Sequence, residues 1–170
     1  AFNGGSSSWN ADAITATWKR SGDDFVLNGN YRYVVDGHTS ELLIVAAREE
    51  GSTAEDGISL FLLPAATAGV TSEWLPTMDQ ARKQASVDLS SVTVGAEALM
   101  GEAGRGWSQL AKVLDLAAIA LAAEQVGGCQ QLLDMTVEYT SERVQFNRTI
   151  ASFQAVKHKA ADMMLQTEVA

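Results

Sequence analysis

Residues 101–114 read Gly101-Glu102-Ala103-Gly104-Arg105-Gly106-Trp107-Ser108-Gln109-Leu110-Ala111-Lys112-Val113-Leu114, and the period of the chain changes inside this stretch. Upstream of it, short runs rich in β-branched and aromatic residues alternate with turn residues. Downstream, Trp107, Leu110, Val113, Leu114, Ala117, Leu121 and Gly128 recur at intervals of three, four and seven, the spacing of one helix face. The three glycines between them read as a flexible hinge. A phosphate-cradling loop is the alternative, but the stretch lacks the Lys-Ser/Thr pair of a P-loop and the spacing of a dinucleotide fingerprint. The chain therefore divides into residues 1–98, a strand domain, and residues 99–170, a helical domain.

In the first part, Ala13–Trp18 and Phe25–Leu27 read as a hairpin around the turn cluster Ser21-Gly22-Asp23-Asp24. Asn28-Gly29 reads as a second tight turn, because Gly and Asn take φ > 0 cheaply. Tyr31–Val35 follows as a strand ended by Asp36-Gly37. Leu42–Ala47 and Ile58–Leu63 are continuous apolar runs, as in central strands buried on both faces. Val70–Leu75 and Ser86–Val94 complete a set of six or seven strands. That number and spacing predict an antiparallel β-barrel or sandwich.

In the second part the helical pattern extends through Leu132, Met135 and Tyr139 to about Phe146, roughly 60 Å at the helical rise. A second helix is expected from Ser152, as N-cap, to the end of the chain. The long helix is apolar almost all round between Leu114 and Ala123, so it is expected to be buried on most sides. One shorter helix cannot supply that cover, which reads as a piece of a larger helical bundle. Gly127-Gly128 inside a helix costs about 2 kcal/mol relative to two alanines; a close helix–helix approach is the expected compensation. The predicted class is thus α+β: an antiparallel β-barrel followed by long helices of an incomplete four-helix bundle.

Composition narrows the functions. The chain has 170 residues, 46% hydrophobic and 19% charged, the make-up of a packed domain. Twenty-one acidic against 12 basic side chains give a net charge of −9, which argues against a nucleic-acid partner. The single Cys129 excludes an internal disulfide and fits a reducing, cytoplasmic compartment. With one Cys and the two histidines His38 and His158, no zinc-type ligand set stands out and no metal is expected. No stretch reaches the ~20 apolar residues that span a bilayer. Asp134, Glu138 and Glu142 lie at helical spacings and read as a solvated acidic face rather than catalytic carboxylates. Lys157-His158-Lys159 reads as surface charge. No catalytic residue is assigned.

The segment Arg143-Val144-Gln145-Phe146-Asn147-Arg148-Thr149-Ile150-Ala151-Ser152-Phe153-Gln154 joins the two helices. Guanidinium groups bind phosphate bidentately and aromatic rings pack on flat ring systems, so the corner suits an anionic cofactor with an aromatic head. A plain helix–helix turn is the alternative.

Those residues resemble the acyl-CoA dehydrogenase family. Glu138–Phe146 is similar to its Tyr-x-x-x-Arg-x-x-Phe-Gly motif, continued by Ile150, Gln154–His158 and Ala161-Asp162-Met163. Phe25–Gly29 resembles a strand and turn of its middle β-domain. Arg82–Val94 and Gly101–Trp107 resemble the passage to its C-terminal helical domain. The likeness runs from about residue 12 to residue 170. It implies a middle β-domain and the start of a C-terminal bundle, FAD bound between subunits, and α,β-oxidation of acyl-CoA thioesters. Arg143, Gln145, Phe146 and Gln154 then fall at positions that reach the FAD of a neighbouring subunit.

The sequence also departs from the family pattern. Asn147 stands where the family has Gly. Asn3–Trp9 replaces a Thr-Glu-Pro-x-Ala-Gly-Ser-like loop, and Tyr33-Val34-Val35 replaces Trp-x-Thr, removing a hydroxyl. Asp115-Leu116-Ala117-Ala118 lacks the Arg of Asp-x-x-Arg, and Ala117 supplies no glutamate base. The resemblance therefore implies a helper subunit in a heterotetramer, inactive alone, that completes the FAD site of a partner acyl-CoA dehydrogenase-type subunit. Its alternatives are a self-sufficient divergent dehydrogenase, with Asn3, Ser6–Ser8 and Tyr33 taking over flavin contacts, and a cofactor-free structural protein.

Overall fold

The computed structural model describes residues 1–6 and 8–170. They form two compact units, Ala1–Leu114 and Asp115–Ala170.

The first unit is one seven-stranded sheet. Its strands are β1 (Thr17–Ser21), β2 (Asp24–Val35), β3 (Leu42–Glu49), β4 (Ile58–Pro64), β5 (Val70–Leu75), β6 (Gln84–Val94) and β7 (Leu99–Met100). They lie in the order β5-β6-β2-β1-β3-β4-β7. Every pairing is antiparallel except β1 with β3, which runs parallel through Thr17 and Trp18. The predicted α+β class stands, but the sheet does not close into a barrel. Closure needs the two end strands to pair in a fixed stagger. Here β7 is two residues long and pairs only with β4, and β5 leaves Thr71–Trp74 exposed at the other edge.

Alternation sets the core. Trp18, Phe25, Leu27, Tyr31, Val45, Phe61, Leu63, Val87 and Val92 are buried together. Trp18, Phe25 and Phe61 meet edge to face with centroids 5.2–6.3 Å apart, the arrangement ring quadrupoles favour. The apolar runs are not buried on both faces throughout. In β3 the outward Leu42 and Ile44 are exposed, and only Val45–Ala47 is covered on both sides. That cover comes from a second cluster of Ala11, Ile14, Ala46, Ile58 and Leu60, packed with Phe2, Met100, Trp107 and Leu110.

Three local readings change. The first strand begins at Thr17, because Ala11–Ala13 forms a 3-10 turn whose alanines are buried. Asn28-Gly29 is no turn: β2 runs straight through it with a bulge between Leu27 and Gly29. Gly29 has φ +139°, and a Cβ there would lie 2.5 Å from the Ala16 Cα, so the position serves a close backbone approach. The 101–106 segment is anchored rather than flexible. Gly104 N–H donates to Ser59 Oγ (2.8 Å) and Gly106 N–H to the Ile58 carbonyl (2.7 Å).

Arg48, at the end of β3, holds the N-terminal segment to the β3–β4 loop. Its guanidinium donates to the carbonyls of Ile14 (2.8 Å), Ala11 (2.9 Å), Ser52 (3.1 Å) and Ala54 (3.1 Å).

The second unit begins within α1 (Trp107–Glu142) and contains a two-stranded ribbon, β8 (Val144–Gln145) with β9 (Arg148–Thr149), then α2 (Gln154–Glu168). The long helix ends at Glu142 rather than Phe146, because Phe146 (φ +57°) and Asn147 (φ +63°) are incompatible with a helix. Ser152 belongs to a 3-10 turn, Ile150–Ser152, and its hydroxyl donates to the Thr149 carbonyl (2.7 Å); Phe153 is the N-cap of α2. The burial expected for α1 is absent within this chain. Leu133 is its one buried residue among those described, while Val113, Leu116, Ile119, Leu132 and Met135 are exposed. Gly127 and Gly128 have nothing within 4 Å of a built Cβ, so among the described residues no helix makes the expected close approach.

Candidate functional site

The ribbon between the helices gathers the residues singled out from the sequence. Its two-residue loop has both central residues at φ > 0, as a type I′ hairpin requires. Asn147, in the place of a glycine, fits because Asn tolerates the left-handed region. Phe146 is bulky there, a conformation rare for such a residue, and its ring is 87% exposed.

The register pairs Gln145 with Arg148 and Val144 with Thr149, and Ile150 N–H donates to the Arg143 carbonyl (2.8 Å). By strand alternation Arg143, Gln145 and Arg148 stand on one face and Val144 and Thr149 on the other. The Arg148 guanidinium lies 4.0 Å from the centre of the Phe153 ring, and Phe146 meets the same ring edge to face at 6.1 Å. Gln145 Nε2 donates to its neighbour's carbonyl at Val144 (2.8 Å). Gln154 Nε2 lies 3.1 Å from His158 Nε2, one turn along α2. The Arg143 guanidinium is exposed and has no hydrogen bond or ion pair among the described residues.

The structure thus brings Arg143, Gln145 and Phe146 together on the ribbon and places Gln154 just beyond it, at the first turn of α2. Arg148 belongs to the joining segment singled out from the sequence, but its stack on Phe153 was not anticipated; an arginine directly after a Phe-Asn turn, and five before a second Phe, is the available signal. Also in this unit, α1 and α2 enclose an open groove of about 600 Å³ with an apolar floor of Leu133, Val137 and Met164 and a rim carrying Asp134, Glu138 and Glu168.

In the first unit the loop at Asn3 is closed on itself. Asn3 Oδ1 accepts from Gly5 N–H (2.7 Å), and Asn3 Nδ2 donates to the carbonyls of Ser6 (2.7 Å) and Ser8 (2.9 Å). The hydroxyls of Ser6 and Ser8 accept backbone N–H groups at 3.0 and 3.1 Å; Ser7 lies outside the described residues. The Asn3 amide is therefore engaged in shaping the loop. Tyr33 sits at φ +59° within an irregularity of β2, and it and Val35 are both about half exposed (58% and 52%). Position 35 offers methyl groups and no hydroxyl. On α1, Ala117 and Ala118 offer no proton acceptor and no cation.

Residues 3–92 match the acyl-CoA dehydrogenase middle domain and residues 104–170 the acyl-CoA dehydrogenase C-terminal domain. The chain belongs to the acyl-CoA dehydrogenase family. Over 162 residues it is 31% identical to the 3-(aryl)acrylate reductase of Clostridium sporogenes, covering 90% of this chain and 41% of that protein. The structure of butyryl-CoA dehydrogenase from Megasphaera elsdenii superposes with a TM-score of 0.86 at 29% identity, over 99% of this chain and 45% of that one. A glutaryl-CoA dehydrogenase from Mycobacterium smegmatis, solved in complex with FADH2, shares the fold with a TM-score of 0.84 at 24% identity, over 98% of this chain and 41% of that one. The chain spans about two fifths of the length of the curated relatives it matches.

For this family member the fit of a flavin nucleotide can be judged from the donor set. The face with Arg143, Gln145 and Arg148 offers planar guanidinium groups and an amide, which suit an anionic diphosphate. Val35, in the other unit, offers no hydroxyl. The donor set of the ribbon suits the phosphate part of a flavin nucleotide. Among the described residues there is no cluster of three or more metal-ligating side chains, and no helix is long and apolar enough to cross a membrane.

Proposed function

We propose that this chain is part of an acyl-CoA dehydrogenase-type flavoprotein subunit that completes the FAD site of a partner subunit while lacking a full site of its own. The observation that carries this reading is the contrast between the ribbon and positions 35 and 118. The ribbon presents Arg143 with Gln145 and an exposed Phe146, whereas Val35 and Ala118 supply neither hydroxyl nor cation. FAD, when bound, supplies the two-electron acceptor for α,β-dehydrogenation of an acyl-CoA thioester. Arg143 holds the anionic diphosphate through bidentate hydrogen bonds, Gln145 and Gln154 donate to the nucleotide, and Phe146 covers its apolar faces. Residues 1–98 and 99–170 act as two domains in this reading, and the complex works in the cytoplasm.

The test is flavin absorbance per chain, for the protein purified alone and for the complex copurified with its dehydrogenase partner. No flavin alone, flavin in the complex, and its loss on Arg143→Ala support the proposal. Full retention by the Arg143→Ala complex refutes it. A second reading, a self-sufficient divergent dehydrogenase, is favoured by the exposed Tyr33 ring held at φ +59°. One FAD per chain in the protein alone would establish that reading instead. A complex devoid of flavin would leave only a structural role.

A further inference from the structure

The net charge of −9 is unevenly spread. From Arg143 to Ala161 the chain carries Arg143, Arg148, Lys157 and Lys159 and no Asp or Glu. The other residues hold the remaining 8 basic side chains against all 21 acidic ones, since 12 minus 4 is 8. The ribbon lies inside this acid-free segment, bounded by Glu142 and Asp162.

We infer that Arg148 is a second phosphate-binding guanidinium, acting with Arg143 from the same face of the β8–β9 ribbon, and that together they select a diphosphate over a monophosphate. The inference rests on the nucleotide-binding reading above and adds a residue to it. Arg143 and Arg148 are diagonal neighbours across the ribbon, Gln145 pairing with Arg148 and Arg143 with Ile150. Diagonal pairs on one face stand about 7–8 Å apart at the backbone, so two long side chains can converge on two linked phosphoryl groups. Stacking on Phe153 at 4.0 Å restrains the Arg148 guanidinium against a ring that takes up none of its N–H donors. No carboxylate engages either guanidinium among the described residues. A cation oriented by a ring and unspent on a carboxylate loses less freedom when it binds an anion. Lysine would supply the charge without the planar stack or the bidentate fork.

The probes are ADP, AMP and inorganic phosphate, titrated calorimetrically into the 170-residue chain at low ionic strength, with helical circular dichroism recorded for every variant. The expected result is ADP binding about tenfold tighter than AMP, as one added charge-assisted contact gives, and falling as salt is raised. Arg148→Ala should lower ADP affinity by about tenfold and bring ADP and AMP level. Arg148→Lys should restore it only in part, and Phe153→Leu should weaken it with the guanidinium still present. Unchanged ADP affinity in Arg148→Ala, equal ADP and AMP affinities in the unmodified chain, or no ADP binding at all would overturn the inference. ADP binding lost in Arg143→Ala but intact in Arg148→Ala would refute the inference alone. Flavin retention in the Arg143→Ala complex would instead refute the helper-subunit reading, whatever ADP does.

Discussion

Tyr31→Phe isolates a single buried hydrogen bond. In the sheet β1 lies between β2 and β3, but it pairs with β2 only from Asp24 to Asn28 and with β3 only at Arg48 and Glu49. Beyond that, the N-terminal segment lies between them, with Arg32 N–H of β2 donating to the Asn3 carbonyl and Ala46 N–H of β3 to the Ala1 carbonyl, and the Tyr31 phenol links the two strands by donating to the Ala46 carbonyl at 3.0 Å. Ala46 N–H points away from β4, donating to the Ala1 carbonyl (2.9 Å), and its own carbonyl points the same way. Phenylalanine keeps the ring packing and strands that carbonyl, at a cost of about 1–3 kcal/mol. With a urea m-value of about 2 kcal/mol/M, the midpoint should fall by about 0.5–1.5 M with m unchanged.

The same substitution has a pH signature. Burial raises the Tyr31 phenol well above the ordinary tyrosine range. A raised folded-state pKa gives stability that is complete below the unfolded value near 10 and is lost as pH rises above it. At pH 11 the unfolded chain has released this proton and the native chain has not, which costs about 1.4 kcal/mol relative to pH 8. The phenylalanine variant lacks that loss, so the gap between the two proteins should narrow by this amount between pH 8 and pH 11. Urea titrations followed by tryptophan fluorescence, with Trp18 buried in the same core, measure both effects. A variant with the parent's midpoint at pH 8, or a gap independent of pH, would refute the reasoning.

Two further substitutions test the backbone. Gly29→Ala places a Cβ 2.5 Å from the Ala16 Cα at φ +139°, so it should destabilise the sheet unit by more than about 2 kcal/mol; a thermal melt within a degree or two of the parent would contradict this. Gly127→Ala and Gly128→Ala meet open space and should each stabilise α1 by about 1 kcal/mol, read as increased helical circular dichroism on heating, with no gain counting against the exposed helix.

What the sequence disclosed follows from which signals are local. The change of period at Trp107 marks the start of α1 to the residue, because apolar spacing records the face a helix covers. The hairpin at Ser21–Asp24 is equally legible, since Gly22 and Asp23 can only turn there. Asn28-Gly29 misled because the same dipeptide serves a turn or a bulge. The choice is made by Ala16, thirteen residues before Gly29 in sequence and in contact with it only in the fold. The end of α1 was misplaced for a related reason. Phe146 continues the apolar spacing of the helical stripe, and only the pairing of Gln145 with Arg148 fixes Phe146 and Asn147 as a loop. The motif residues of the ribbon could be picked out from their resemblance to the family motif, but the Arg148–Phe153 stack depends on a chain reversal that the motif does not encode.

The four bonds of Arg48 have a consequence for how the sheet unit opens. Ala11 and Ile14 lie before the first strand, and Ser52 and Ala54 lie between the third and fourth; one guanidinium engages all four carbonyls. Neither segment can swing out and leave the other as it was, because the departing carbonyls free the side chain that orients those that stay. Ala54, held at φ +52°, would relax as soon as its bond is gone. The two segments therefore share one cooperative opening, and a protease that cuts the 50–57 loop gains access to the N-terminal segment in the same event.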